Sequence, residues 1–231
     1  MNDDLRLISS MATKPLLADL ADAWQASGGG LRLQVESVGG VDAARRVQGG
    51  EAFDAVVLAA NAIDQLIDAG RVQPGSRVDL VRSGVAVAVK EGAPAPDIGS
   101  ESALRAAVLA APSIGYSTGP SGVALVKLFE RWGIAAQVGD RLRQAPPGVP
   151  VGRLVAGGEV ALGFQQLSEL MALPGIRVVG PLPDAVQITT VFSAGVCSAG
   201  SRPDAVRALL AWMASPATDP LIRRHGMEPA R

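Results

Sequence analysis

Leu5-Arg6-Leu7-Ile8-Ser9-Ser10-Met11-Ala12-Thr13-Lys14-Pro15-Leu16-Leu17 reads as a strand, a small polar turn and the start of a helix. The apolar residues of 5–8 predict the strand. Ser9 to Thr13 form the turn, and Pro15 suits a first helical turn, where a missing N–H costs little. Leu16, Leu17, Leu20 and Trp24 then recur at helical spacing, and Ser27-Gly28-Gly29-Gly30 ends the helix. Working outward, the same unit returns. Residues 31–36 alternate as a second strand, and Ser37-Val38-Gly39-Gly40 turns into a helix through Ala43, Ala44 and Val47. Residues 53–58 are almost wholly apolar, as expected of a parallel strand covered on both faces. Asn61 is expected to cap the helix that follows, which ends at Gly70.

The middle of the chain repeats the pattern. A long strand over 82–89 leads to a helix that starts at Ser100. A strand over 113–116 enters Ser117-Thr118-Gly119-Pro120-Ser121-Gly122 and a helix carrying Leu125, Leu128, Phe129 and Trp132. A short helix over 149–157 precedes a strand over 160–164, which opens into Gln165-Gln166-Leu167-Ser168-Glu169. After a strand over 176–179 comes a second long strand, 186–196, then helices over 203–213 and 216–225. Such alternation predicts an α/β protein with a largely parallel sheet. Both halves read strand, Ser/Gly turn, helix. We therefore expect two α/β lobes, 1–82 plus 191–231 and an inserted 83–190, with the long strands as crossovers. The strand-to-helix turns would open into a cleft between them.

Composition narrows the function. The 231 residues are 48% hydrophobic and 19% charged, enough for a substantial core and too apolar for disorder. No apolar run reaches the ~18 residues of a membrane helix, so membrane insertion is not expected. A net charge of −1 argues against a nucleic-acid partner. Cys197 and His225 stand alone of their kinds, which excludes a disulfide framework and a His-rich metal site; no metal or cofactor is expected. No G-x-x-x-x-G-K-[ST] loop occurs, and no G-x-G-x-x-G follows the first strand. Met1-Asn2-Asp3-Asp4-Leu5 shows no secretory leader. The expected location is cytoplasmic if Met1 is the native start, and periplasmic if a leader was removed.

Three turns carry the functional signal: Ser9-Ser10-Met11, Ser37 with Gly39 and Gly40, and Ser117 with Gly119, Ser121 and Gly122. Each precedes a helix, where free N–H groups attract anions and serine hydroxyls add donors. Ordinary N-capping explains any one of them. Three facing one cleft point to a small anion. Gln165, Gln166, Ser168 and Glu169 either line that cleft or begin a solvated helix. Arg82 offers a planar fork for a carboxylate, or is a surface arginine. Gly115-Tyr116-Ser117-Thr118-Gly119 matches the G-x-S-x-G nucleophile pattern, with Asp204 or Asp219 and His225 as triad partners. Pro120 and Ser121 delay the helix that such an elbow feeds directly, which disfavours it. Cys197 and the tryptophans Trp24, Trp132 and Trp212 are assigned to packing.

These stretches together resemble the periplasmic molybdate-binding proteins over nearly the whole chain. The opening strand and turn, Phe53-Asp54-Ala55-Val56-Val57-Leu58 with its helix, and Ala69-Gly70-Arg71-Val72-Gln73-Pro74-Gly75-Ser76 carry the likeness. Residues 117–122, 161–169 and the strand near Val191 continue it. The resemblance implies a type 2 periplasmic-binding fold with a hinged cleft. It implies ligand contacts from Ser10, the 37–40 turn, Ser121, Val151 and Gln166, and a transporter permease as partner if the protein is exported. Two positions depart from the pattern. Gln166 stands where the family has a tyrosine, and Gly39-Gly40 where it has a serine. Some relatives resemble isomerases of small tricarboxylates, similar to aconitate isomerase; that branch would need a base for an allylic proton, with Glu169 and Tyr116 the nearest groups. A small-anion receptor is the primary expectation and such an isomerase the alternative.

Overall fold

The computed structural model describes residues 4–28 and 30–231. Met1 to Asp3, within the stretch read for a leader, and Gly29 of the expected glycine stop lie outside them. The chain forms two compact units, Met1–Arg82 with Val191–Arg231, and Ser83–Thr190.

In chain order the first unit contains β1 (Asp4–Ser10), α1 (Lys14–Ala26), β2 (Arg32–Val38), α2 (Gly40–Gln48), β3 (Ala55–Ala59) and α3 (Ala60–Asp68). Strand β4 (Val78–Lys90) starts there and continues into the second unit. That unit holds α4 (Glu101–Ala110), β5 (Ile114–Tyr116), α5 (Pro120–Arg131), α6 (Ala135–Val138) and β6 (Leu142–Gln144). It goes on with α7 (Val151–Gly157), β7 (Leu162–Gln166), α8 (Leu167–Leu170) and β8 (Ile176–Pro181). Strand β9 (Thr189–Val196) returns the chain to the first unit, which ends with α9 (Pro203–Met213), α10 (Asp219–Arg224) and β10 (Met227–Pro229).

In the first unit β1 lies parallel to both β2 and β3, and β9 runs antiparallel to β3. In the second, β5 lies parallel to β6 and β7, while β4 runs antiparallel to β7 and β8. The sheets are therefore more mixed than the strand–helix alternation predicts. A parallel neighbour needs a crossover that returns the chain to the same sheet edge. Strand β9 instead enters beside the carboxyl end of β3, Phe192 opposite Ala59, and runs back along it.

Helices cover both faces of the first sheet, which is why its strands are apolar at consecutive positions. Leu7 and Val57 point into a core with Leu16, Leu20, Leu209 and Met213, while Ile8 and Val56 point to Val47, Ile63 and Leu66 on the other side. The second unit packs Val85, Val87, Leu104, Ile114, Leu125 and Phe164 around Phe129. Each such side chain, fully buried, contributes roughly 1.5–3 kcal/mol. The three tryptophans pack: Trp24 tilts against Trp212 at 5.3 Å between ring centroids, and Trp132 stacks on Phe129 at 6.0 Å. Cys197 sits in the core below α3, its thiol pushed up to about 12 by burial and by the neighbouring Asp54 carboxylate.

Local details differ from the sequence reading. Asn61 does not cap α3. Strand β3 passes into that helix with no intervening residue, so the cap position falls on Ala59, which has no side chain to offer, and Asn61 is exposed in the first turn. The second long strand starts at Thr189, not near 186. Asp184–Val186 form a 3-10 turn, and the Gln187 Oε1 accepts from Val85 N at 3.0 Å and Ile188 N at 2.9 Å, beside the backbone bond of 3.0 Å from Val85 N to Ile188 O. The last helix begins at Asp219, because Thr218 turns its hydroxyl onto Met213 O at 2.8 Å and holds Pro216–Thr218 in a 3-10 turn.

Candidate functional site

In the first unit the parallel register aligns Ser9 with Ser37 and Ser10 with Val38, so the carboxyl ends of β1 and β2 finish level. Ser9 is fully buried and satisfied internally: its Oγ pairs with Ser37 Oγ at 2.8 Å and donates to Ser10 O at 3.3 Å. That link holds the two turns together. Ser10 is 8% exposed, and its Oγ is buried with no hydrogen-bond partner. A buried hydroxyl left unpaired costs about 1–3 kcal/mol, unless something absent from the free chain completes it. A Cβ placed on Gly40 would lie 3.6 Å from Ser10 Cβ, so this hydroxyl-bearing residue stands against the first residue of α2. Gly39 caps α2 without a side-chain bond, the 3-10 turn after Ser10 is likewise uncapped, and Met11 begins that turn half-buried. The first N–H groups of α2 and α3 therefore have no side-chain acceptor. Arg82 lies elsewhere, exposed on β4, with its Nη2 donating to Ala230 O at 2.9 Å; it does not join this group.

In the second unit Tyr116 pairs with Phe164, so β5 and β7 also end on one edge. Gly119 caps α5 with no side-chain bond. Ser121 is 6% exposed, and its Oγ lies 3.2 Å from Ser117 Oγ. A Cβ on Gly122 would stand 1.8 Å from Ser117 O, so only glycine lets the turn close this tightly onto the helix. Tyr116 is half-buried and packs with the apolar core of this unit. Helix α7 brings its amino end to the same edge, with Val151 and Gly152 buried.

Gln165 and Gln166 do not begin a solvated helix; both are 3% exposed at the end of β7. With its oxygen accepting from Thr190 Oγ1 at 2.8 Å, the Gln166 amide places its NH2 3.1 Å from Ser83 O and Gly84 O. It thereby ties β7 to β4 and β9. The Gln165 Oε1 accepts from Gly152 N at 3.4 Å, and its amide also bonds the Glu169 carboxyl. Burial, partly offset by that bond, raises Glu169 from its ordinary 4.5 to about 7. Thr190 and Gly152 escaped the sequence reading. Nothing local marks Thr190 as a partner of Gln166, whereas Pro150-Val151-Gly152 is a readable helix start, whose Gly152 N–H finds its acceptor in Gln165.

The nucleophile pattern does not form a triad. Ser117 bonds Ser121, and His225 Nε2 lies 2.8 Å from Asp19 Oδ2. Among the described residues no group of His, Cys, Asp and Glu is placed to hold a metal ion, and no helix is long and apolar enough to cross a membrane. Each unit places serine hydroxyls beside helix starts that no side chain caps. Such an arrangement favours an anion and needs no cation.

The chain belongs to the bacterial extracellular solute-binding proteins, whose family model matches residues 5–228. A more particular relative is an aconitate isomerase of a Pseudomonas species, 42% identical over 185 residues, 80% of this chain and 70% of that one. The fold is that of the periplasmic molybdate-binding protein of Azotobacter vinelandii, with a TM-score of 0.79 at 18% identity over 96% and 98% of the two chains. The sulfate-binding protein SubI of Mycobacterium tuberculosis is similar, with a TM-score of 0.78 at 18% identity over 98% and 87%.

Proposed function

We propose that the chain binds a small anion, an oxyanion or a carboxylate, through neutral donors. The observation that carries this is the buried, unpartnered Ser10 Oγ against the open first turn of α2. The uncapped start of α5 beside Ser117 and Ser121 gives the second unit donors of the same kind. The names of the molybdate- and sulfate-binding relatives agree with an anionic ligand. As a family member the chain would act outside the cytoplasm and deliver its ligand to a membrane permease. Thermal unfolding against a panel tests the ligand class: molybdate, tungstate and sulfate against citrate, cis-aconitate and trans-aconitate. A specific ligand at about 100 times its Kd adds ~2.7 kcal/mol, roughly 5–10 °C for a chain of this size. A panel with no shift at all would sink the reading.

A second reading is favoured by the 42% identical aconitate isomerase: the ligand is a small tricarboxylate and the protein moves its double bond. A shift with the aconitates alone, with conversion of the trans to the cis isomer, would establish it. A shift with molybdate or tungstate alone would remove it.

A further inference from the structure

The carboxyl edge of β5 and β7 carries an acid among its neutral donors. Helix α8 follows the end of β7 directly and carries Glu169 as its third residue, beyond the edge at which β5 also ends before the Ser117 and Ser121 turn. An anion site gains nothing in affinity from a carboxylate, which repels its ligand. Yet this one is held in place. The buried Gln165 amide spans from Gly152 N to the Glu169 carboxyl, fixing the acid relative to the first turn of α7.

Among the described residues the acid has no ion pair. Helix α8 packs against β7 and β8. Strand β7 has no charged residue; β8 carries Arg177 and the neighbouring α7 carries Arg153, both exposed. None of these acts on Glu169, whose surroundings are set by burial and by Gln165. Tyr116 packs against the apolar core of this unit.

We propose that Glu169 is the base that carries the allylic proton when the bound ligand is an unsaturated tricarboxylate. The assignment rests on the isomerase reading. In the step the Glu169 carboxylate takes a proton from the methylene carbon beside the double bond. The electron pair of that C–H bond becomes the new C=C bond. The electrons of the old double bond take the proton back from Glu169 at its far carbon. The carboxyl ends as it began, one C–H bond is broken and one formed, and no oxidant, reductant or cofactor is consumed. A neutral-donor edge suits the step, because it holds the substrate's carboxylates without neutralising the base. A carboxyl that titrates near neutral pH both accepts and returns a proton there.

The test follows trans-aconitate by proton NMR in H2O and D2O with purified wild type, Glu169→Gln and Glu169→Asp. The wild type is expected to convert it, to exchange its methylene protons with solvent, and to lose kcat on the acid side of the profile. E169Q is expected to lose kcat by about a hundredfold or more, the usual scale for a missing acid–base group, with KM within about threefold. Its unfolding midpoint should match or exceed that of the wild type, which shows that it folds. E169D keeps a carboxylate and should retain part of the rate with an acid limb still present. Turnover by E169Q within tenfold of the wild type, or an unchanged acid limb, would overturn the assignment and leave the isomerase reading standing. A wild type that binds aconitate yet neither converts nor exchanges it would overturn both, leaving anion binding intact.

Discussion

Ser10 carries a buried hydroxyl with no hydrogen-bond partner, and Glu169 a buried carboxyl bonded by Gln165. Ser10→Ala removes a hydroxyl that has no partner, so stability should hold or rise slightly in chemical denaturation. Ligand affinity should fall about ten- to hundredfold by calorimetry, the scale of a hydrogen bond to a charged group. Glu169 sets a pH dependence. Its folded pKa of about 7 exceeds its ordinary 4.5, so between those values the folded chain holds a proton that the unfolded chain has released. Its contribution is fully present below 4.5 and is lost as pH rises through about 7, with a total of about 3 kcal/mol. Glu169→Gln should flatten that fall in the unfolding midpoint between pH 5 and 8. Glu36 and Glu51 act in the opposite direction: their hydrogen bonds to Arg46 hold both below the usual range, so their stabilisation is lost on acidification. The fall toward pH 8 is therefore the part to compare.

At the scale of elements, helix starts decide what the turns can do. A Cβ at Gly40 meets only ordinary contact with Ser10, whereas one at Gly122 collides with the Ser117 carbonyl. Gly122→Ala should destabilise by roughly 2–3 kcal/mol or more, since a backbone turn must open, while Gly40→Ala should be nearly neutral in urea unfolding. Gln166 ties three strands through one buried amide. Gln166→Leu leaves Thr190 Oγ1 and two strand carbonyls without it, and should cost about 2–4 kcal/mol by the same measurement. The serine–glycine turns were legible because capping chemistry is local. The role of Gln166 was not, because its partners lie 24 residues away at Thr190 and on another strand. Asn61 misled for a related reason: a polar residue near a helix start reads as a cap, and only the geometry shows that β3 runs on through Ala59.

At the scale of the whole molecule, Trp24 and Trp212 report on the first unit and Trp132 on the second. If the Ser10 turn holds the ligand, its addition should raise the unfolding midpoint read from the first unit. A Trp132→Phe variant isolates the signal of the first unit, and a Trp24→Phe, Trp212→Phe double variant that of the second. A ligand that leaves the first-unit signal unmoved would rule out the Ser10 turn as its site.

The α/β class, the strand–turn–helix units and the apolar strands were determined by the sequence, because periodicity and turn chemistry act over a few residues. The family resemblance was legible for the same reason, carried by short stretches in a fixed order. Strand direction was not: whether β4 and β9 run parallel or antiparallel to their neighbours depends on the edge at which the chain arrives. Nor was the state of the site residues. Which serine is satisfied, as Ser9 is by Ser37, and which is left open, as Ser10 is, depends on a register between strands. The raised pKa of Glu169 likewise belongs to the fold, since burial is a property of everything packed around a group and of no residue alone.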